Sequence, residues 1–324
     1  VADLGEFGLL RSLRRYLDPT SNRLLVAAPD DDAALWRGDP LVVGTMDTMV
    51  EGIDFRLSWP GFDYRLLGRR LISINLSDLA AMGGEPRYAL VSLSLRGNIP
   101  ASDVRRLYQG IAERAHQYDC LVAGGDLSAT EGPLTLTATV IGRVQSAAAI
   151  LRRTGARPGW TIGVTGSLGA AAAGLRLLEG GEPASSPQHR RWVAAQLDPT
   201  PQLSAGRLLV DVGVRVGGDI SDGLVRELQR ITEGDGLGAV IEIERLPLAD
   251  GLEEDQWPLA IRDSEDFELV CAAPAPLMAV ARRALEKNGV RLTVVGRVEA
   301  RRGIRLQFRG KRVSLEGGGY EHFR

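Results

Sequence analysis

Gly217-Gly218-Asp219-Ile220-Ser221-Asp222-Gly223-Leu224 sets two carboxylates three residues apart between glycines, ahead of the helical pattern Leu224, Leu228 and Ile231. On the first turn of a helix, that spacing turns both side chains the same way. The free amides there attract anions, so one Asp can serve as a cap, whereas a pair makes most sense around a cation. Asp31, Asp32, Asp47, Asp78 and Asp126 stand in comparable settings, at the ends of expected strands or on a polar helix edge. Carboxylates within about 4–6 Å raise each other's pKa strongly, so these acids can converge only with cations among them. Hard oxygen donors suit Mg²⁺, and His116, His189 and His322 lack the spacing of zinc ligands.

The elements that must position these acids are legible as periodicities. Residues 4–17 form an amphipathic helix pattern, and Arg23–Ala28 a strand that runs into Asp30-Asp31-Asp32. Leu41–Met46 reads as a buried strand delivering Asp47, with Glu51 and Asp54 just beyond it. Tyr64–Met82 is helical, stopped by Gly83-Gly84 and Pro86, with Asn75 and Asp78 on one polar edge. A strand over Tyr88–Arg96, a helix ending at Gln117, a strand over Cys120–Ala123 and a long strand over Leu134–Val144 follow. The strand at Cys120 leads into Gly124-Gly125-Asp126, where glycines let a ligand approach the backbone. Residues 147–158 read as a linker, giving two expected domains, 1–146 and 147–324.

In the second domain, Gly166-Ser167-Leu168-Gly169 after strand Trp160–Thr165 reads as a tight strand-to-helix turn, because the GxGxxG spacing is missing. Glu179–Gln188 is a surface loop, Asp198-Pro199-Thr200-Pro201 a helix break, and Asp263–Leu269 an acidic approach to strand Leu269–Ala273. Ala239–Ile243, Leu292–Val298 and Ile304–Phe308 are further strands, and Leu277–Lys287 a helix.

Composition narrows the function. The chain has 324 residues, 44% hydrophobic and 25% charged, with a formal net charge of −2. Nothing in that balance calls for nucleic acid or a membrane surface as partner. Cys120 and Cys271 have no CxxC or His-rich company, which argues against a disulfide framework or zinc site and fits a reducing cytoplasm. No apolar run long enough for a membrane span and no export signal is visible. Of 39 basic residues only Lys287 and Lys311 are lysines, and neither sits in a glycine-rich loop after a strand. A P-loop and a protein-kinase lysine are both absent, so phosphate handling falls to metal ions and arginines. Carboxylate-held Mg²⁺ is the usual partner of substrate polyphosphates, which points to an ATP-dependent enzyme without a P-loop.

The motifs then carry a resemblance. Gly5-Glu6-Phe7, Asp31-Asp32-Ala33-Ala34-Leu35, Met46-Asp47-Thr48, Asn75-Leu76-Ser77-Asp78-Leu79-Ala80-Ala81-Met82-Gly83, Gly124-Gly125-Asp126, Asp219–Leu224, Glu265–Leu269 and Gly319-Tyr320-Glu321-His322-Phe323 occur in order. The set resembles the thiamine-monophosphate kinase family, of the superfamily that includes aminoimidazole ribonucleotide synthetase. The resemblance implies an α/β fold of the α+β kind, with two domains of mixed sheets flanked by helices, in a cytoplasmic homodimer. It implies transfer of the ATP γ-phosphoryl group to thiamine phosphate with several Mg²⁺. By the same resemblance Asp32, Thr45, Met46, Asp47, Asp78, Asp126, Asp219 and Asp222 match metal positions. Gly125, Asp126, Arg153 and Ser221 match nucleotide contacts, and Asp54, Glu265 and Tyr320 the thiamine end. The chain departs from the family pattern at Asp30 and at Asp263-Ser264, where glycines are usual, and at Met46, where a hydroxyl is usual. Another ATP-dependent enzyme of the superfamily and a non-catalytic nucleotide-binding protein are the alternatives. The reactive N-terminal Cys of selenophosphate synthetases and the terminal Cys of hydrogenase-maturation members are both missing.

Asp47→Asn and Asp126→Asn are each expected to abolish turnover while leaving the fold intact. Either variant retaining more than about a tenth of wild-type activity at saturating Mg²⁺, roughly 1.4 kcal/mol of barrier, contradicts this assignment.

Overall fold

The computed structural model describes residues 41–262 and 264–314, together with the backbone of Ala34–Trp36. The expected helix 4–17, the strand Arg23–Ala28, Asp30–Asp32, Asp263 and the tail containing Tyr320 lie outside the described residues.

The first half builds a five-stranded sheet in the order β1-β2-β5-β3-β4. Its strands are β1 (Ala34–Trp36), β2 (Val42–Val50), β3 (Glu85–Leu95), β4 (Leu121–Ala129) and β5 (Thr135–Arg143). Only β3 and β4 pair in parallel. Helices α1 (Tyr64–Met82) and α2 (Ala101–Gln117) belong to the same half. The second half is a seven-stranded sheet in the order β12-β11-β8-β10-β6-β9-β7. Its strands are β6 (Thr161–Thr165), β7 (Val216–Asp219), β8 (Gly238–Glu242), β9 (Leu269–Ala273), β10 (Leu292–Glu299), β11 (Gly303–Phe308) and β12 (Lys311–Val313). Around it lie α3 (Ala170–Glu179), α4 (Pro187–Leu197), α5 (Leu203–Asp211), α6 (Leu224–Glu233), α7 (Pro258–Ile261) and α8 (Ala275–Lys287). No helix among the described residues is long and apolar enough to cross a membrane.

Helix α1 is the element between the halves, and it packs on α2, α5, β2, β5 and β7. Asp63 caps it by accepting the Arg65 N–H at 2.8 Å, and Gly83 ends it at φ +68°, a conformation that glycine adopts without strain. Leu67, Leu71, Ile72, Leu76 and Leu79 join the core of the first half, while Ala80 and Ala81 join a second core with Leu209, Cys271 and Met278. Close approach on two sides depends on missing side chains. A Cβ on Gly110 of α2 would stand 1.9 Å from the Arg65 carbonyl, and one on Gly206 of α5 would stand 2.0 Å from the Ala80 carbonyl.

Two strands run further than their patterns suggested. β2 continues through Asp47 to Val50, in unbroken antiparallel register with β5. β4 does not stop at Ala123 but carries Gly124, Gly125 and Asp126 within it, paired with β3. Gly125 is therefore a packing residue as well as a possible ligand approach, since a Cβ there would stand 1.8 Å from the Val91 carbonyl. The loop Glu179–Gln188 is shortened at its end by Pro187 opening α4, with Ser186 as cap.

Gly110→Ala is expected to destabilise the protein by about 1–3 kcal/mol by forcing α2 off α1. Denaturant unfolding that shows no loss would mean that the two helices can separate freely.

Candidate active site

Strand alternation turns Thr45 and Asp47 to one face of β2, toward α1, and Met46 and Thr48 to the other. The Asp47 N–H donates to Asn75 Oδ1 at 3.1 Å, and Asn75 Nδ2 donates to the Leu71 carbonyl at 3.0 Å. Fully buried Asn75 thus ties β2 to α1. One turn along, the Thr45 hydroxyl donates to Asp78 Oδ2, and Ser77 Oγ donates to Asp219 Oδ2 at 2.7 Å across the junction of the two halves. Asp219 is 1% exposed and its Oδ1 has no partner among the described residues.

Crowding governs the electrostatics. Burial pushes Asp47 up to about 6, reinforced by Asp219 and, less strongly, by Asp222 and Asp54. Asp78 is raised well above the usual carboxylate range, by burial and then by Asp47 and Asp219. Asp219 is also raised by burial, although Arg153, Ser77 and Arg230 act to lower it. A buried orphan oxygen and two carboxylates in mutual repulsion fit a hard divalent cation such as Mg²⁺. Among the described residues, no three His, Cys, Asp or Glu side chains are arranged to hold a metal by themselves.

A second layer is ionic. Arg153 grips Glu227 of α6 with Nε on Oε1 at 2.7 Å and Nη2 on Oε2 at 3.1 Å. Arg230 donates to Glu227 Oε2 at 3.3 Å and to Asp222 Oδ2 at 2.6 Å. Glu227, 1% exposed, is the residue that sequence reasoning missed here. Its signal was an acid on the inward stripe of Leu224, Leu228 and Ile231.

The two acidic motif loops are joined by their backbones. The Ile220 N–H donates to the Glu268 carbonyl at 2.7 Å, and the Phe267 N–H to the Ile220 carbonyl at 2.9 Å. Phe267, buried, is held at φ +52°, a left-handed conformation that costs a bulky residue energy. Asp266 caps α3, accepting from the Gly169 N–H at 2.7 Å and the Ala171 N–H at 3.2 Å. This is the tight turn expected from Gly166–Gly169. Glu265 Oε2 accepts from Arg70 Nη2 at 2.7 Å and from Gln196 Nε2 at 2.8 Å.

Comparison with known proteins agrees with this architecture. Residues 30–144 match the family of the AIR synthase related protein N-terminal domain, and residues 157–309 that of the C-terminal domain. The thiamine-monophosphate kinase of Bacillus subtilis (strain 168) is 32% identical over 305 residues, covering 91% of this chain and 92% of that protein. The thiamine-monophosphate kinase of Synechococcus elongatus is 34% identical over 336 residues, covering 100% of this chain and 98% of that one. This chain belongs to the thiamine-monophosphate kinase family. A solved structure, AaThiL complexed with AMPPCP and TMP, superimposes with a TM-score of 0.84 at 28% identity, covering 99% of this chain and 98% of that one.

Set against the family's expected site, the fold brings Thr45, Asp47, Asp54, Asp78, Asp219 and Asp222 to one place. Asp219 and Asp222 do not share a helical turn as expected. Asp219 ends β7, Asp222 lies in the following turn, and α6 begins only at Leu224. Gly223 sets that boundary at φ +89°, wedged so that a Cβ would stand 2.1 Å from the Arg262 carbonyl. Ser221 lies in the same turn, partly exposed. Met46 points away, with 65% of its surface exposed, so its side chain is not part of the cluster. Gly125 and Asp126 lie three strands from β2, about 14 Å across the sheet. Exposed Asp126 accepts there from Ser128 Oγ at 2.8 Å, and the fold does not bring it to Asp47. Asp32 and Tyr320 lie outside the described residues.

Burial pushes Glu268 up to about 7, although the Thr165 hydroxyl, donating at 2.6 Å, acts to lower it. The folded state therefore holds this proton more tightly than the unfolded chain. The stability that results is complete below the ordinary value of 4.5 and is lost as pH rises through about 7. Glu268→Gln should flatten the fall in Tm between those limits relative to wild type. Parallel Tm–pH curves for the two proteins would contradict the assignment.

Proposed function

We propose that this chain carries out the reaction of its family: ATP + thiamine phosphate gives ADP + thiamine diphosphate, by direct phosphoryl transfer. The observation that carries the reading is the Asp47–Asp78–Asp219 cluster at the junction of the two halves. Those acids, with Asp222 and with Asp32, are the residues that would hold Mg²⁺. Bound there, it would supply positive charge to offset that of the donor and acceptor phosphates. The protein's own part is positional. Asn75 fixes the backbone of Asp47, while the Thr45 and Ser77 hydroxyls hold the carboxylates of Asp78 and Asp219, and α1 carries Asn75, Ser77 and Asp78 on one rigid frame. Arg153 and Ser221 are assigned to the nucleotide, with the Glu227 clamp holding the guanidinium in place. Asp54, Glu265 and Tyr320 are assigned to the thiamine end, where a carboxylate and an aromatic face suit its cationic ring.

A homodimer accounts for Gly125 and Asp126. The face of the five-stranded sheet turned away from α1 presents Met46 at 65%, Leu121 at 63%, Tyr88 at 49% and Leu90 at 42% exposure, beside the edge of β4, which is unpaired among the described residues. An apolar face next to an open strand edge suits a second copy of the chain. Asp126 aligns with Ser92, Thr137 and Thr48 across that face, so a dimer built there carries it to the interface. The domain division at 146/147 falls in this reading between the dimerising half and the second half. A cytoplasmic setting suits the two buried free thiols.

The experiment is an ADP-release assay with thiamine phosphate, thiamine and formylglycinamidine ribonucleotide as alternative acceptors. Turnover with thiamine phosphate alone is the expected result. Preference for the ribonucleotide would move the chain to a different enzyme of the superfamily, and no turnover with any acceptor would leave nucleotide binding as its role.

A further inference from the structure

Arg70 lies on α1 with 2% of its surface exposed, and its Nε has no partner among the described residues. Its Nη1 donates to the Gln196 carbonyl of α4, and its Nη2 to Glu265 Oε2 at 2.7 Å. Glu265 is its only carboxylate partner among the described residues. Gln196 adds a second bond to the same oxygen at 2.8 Å. Both bonds arrive at Oε2, and the Glu265 side chain stays 34% exposed. One carboxylate oxygen is thus anchored, and Oε1 is left to meet a ligand.

The anchor is on the same helix as the phosphoryl end of the site. Arg70 and Ser77 are seven residues apart, two turns along one face of α1, so the rise between them is about 10 Å. Ser77 holds Asp219, and Arg70 holds Glu265. Helix α1 therefore sets the spacing between the metal-holding carboxylates and the acid at the far end. The end of α4 is fixed to the same frame, since Asp198 is gripped by Arg69 at 2.9 Å and by Arg114.

We propose that Arg70, assisted by Gln196, is a positioning residue for the acceptor. It fixes Glu265 so that Oε1 faces the cationic, amine-bearing end of the substrate at a set distance from the transferring phosphoryl group. The proposal rests on Glu265 serving the acceptor end, as assigned above.

Steady-state kinetics on Arg70→Gln, Arg70→Lys, Gln196→Leu, Glu265→Gln and the double variant Arg70→Gln/Glu265→Gln test it. Arg70→Gln should raise the KM for thiamine phosphate about tenfold, the loss of a hydrogen bond to a charged group, with the KM for ATP changed less than about twofold. Arg70→Lys should recover part of that loss, because it keeps the charge without the planar fork. Gln196→Leu removes one anchoring bond and a buried amide oxygen that has no partner, so it should fold well and shift the same KM in the same direction. The double variant should be no worse than Glu265→Gln alone. If Glu265→Gln raises the acceptor KM but Arg70→Gln and Gln196→Leu do not, or if the double variant is additive, Arg70 has only a structural role and the proposal is overturned. If Glu265→Gln itself leaves the acceptor KM unchanged, the assignment of Glu265 fails and the proposal goes with it.

Discussion

Asp47, Asp78 and Asp219 come from three elements, a strand of one sheet, the central helix and a strand of the other sheet, and share one buried space. Their repulsion cannot relax by a shift of backbone. α1 is packed on several sides and touches α2 and α5 at glycines that leave no room, while β2 and β7 are held in hydrogen-bonded register. Bound protons or bound cations are the remaining ways to relieve the charge. A fold that imposes this choice suits metal and polyphosphate bound together, because each supplies what the other's charge requires.

Arginines supply the positive charge around these acids. Guanidinium groups present a planar fork and remain charged when buried, so they can be held by carboxylates without losing their proton. Arg153 and Arg230 share Glu227, and Arg70, Arg69 and Arg114 fix the end of α4 and the Glu265 loop. Removing one member of the buried pair Arg153–Glu227 would strand a charge in the interior, so such pairs resist piecemeal change. They set the geometry around acids that would otherwise push apart.

Much of this was legible in the chain. Tyr64–Met82 is bounded as its apolar period and Gly83 indicate, and Asn75 and Asp78 lie where their spacing puts them. Strand Leu269–Ala273 also keeps its expected limits. What sequence could not give was tertiary. The expected shared turn of Asp219 and Asp222 fails because β7 pairs with β9 up to Asp219 and Gly223 delays the helix. Asp126 seemed to belong with Asp47 by residue type, yet strand order separates them, and order is set by long-range pairing that no local pattern encodes. Period-two alternation already sets the Met46 side chain opposite those of Thr45 and Asp47. The burial of Arg70 and Glu227 emerges only in the packing of α1 and α6, although Glu227 already falls on the inward stripe of its helix.

Cation and nucleotide should displace protons from the crowded carboxylate cluster. Calorimetric titration with a preformed Mg²⁺ complex of a non-hydrolysable ATP analogue measures this, in buffers of different ionisation enthalpy at pH 6 and pH 8. Asp47, pushed up to about 6, and Asp78, raised well above the usual carboxylate range, should yield a net proton release at pH 6 that shrinks toward pH 8. Proton uptake, or a release that does not change between the two pH values, would contradict the account.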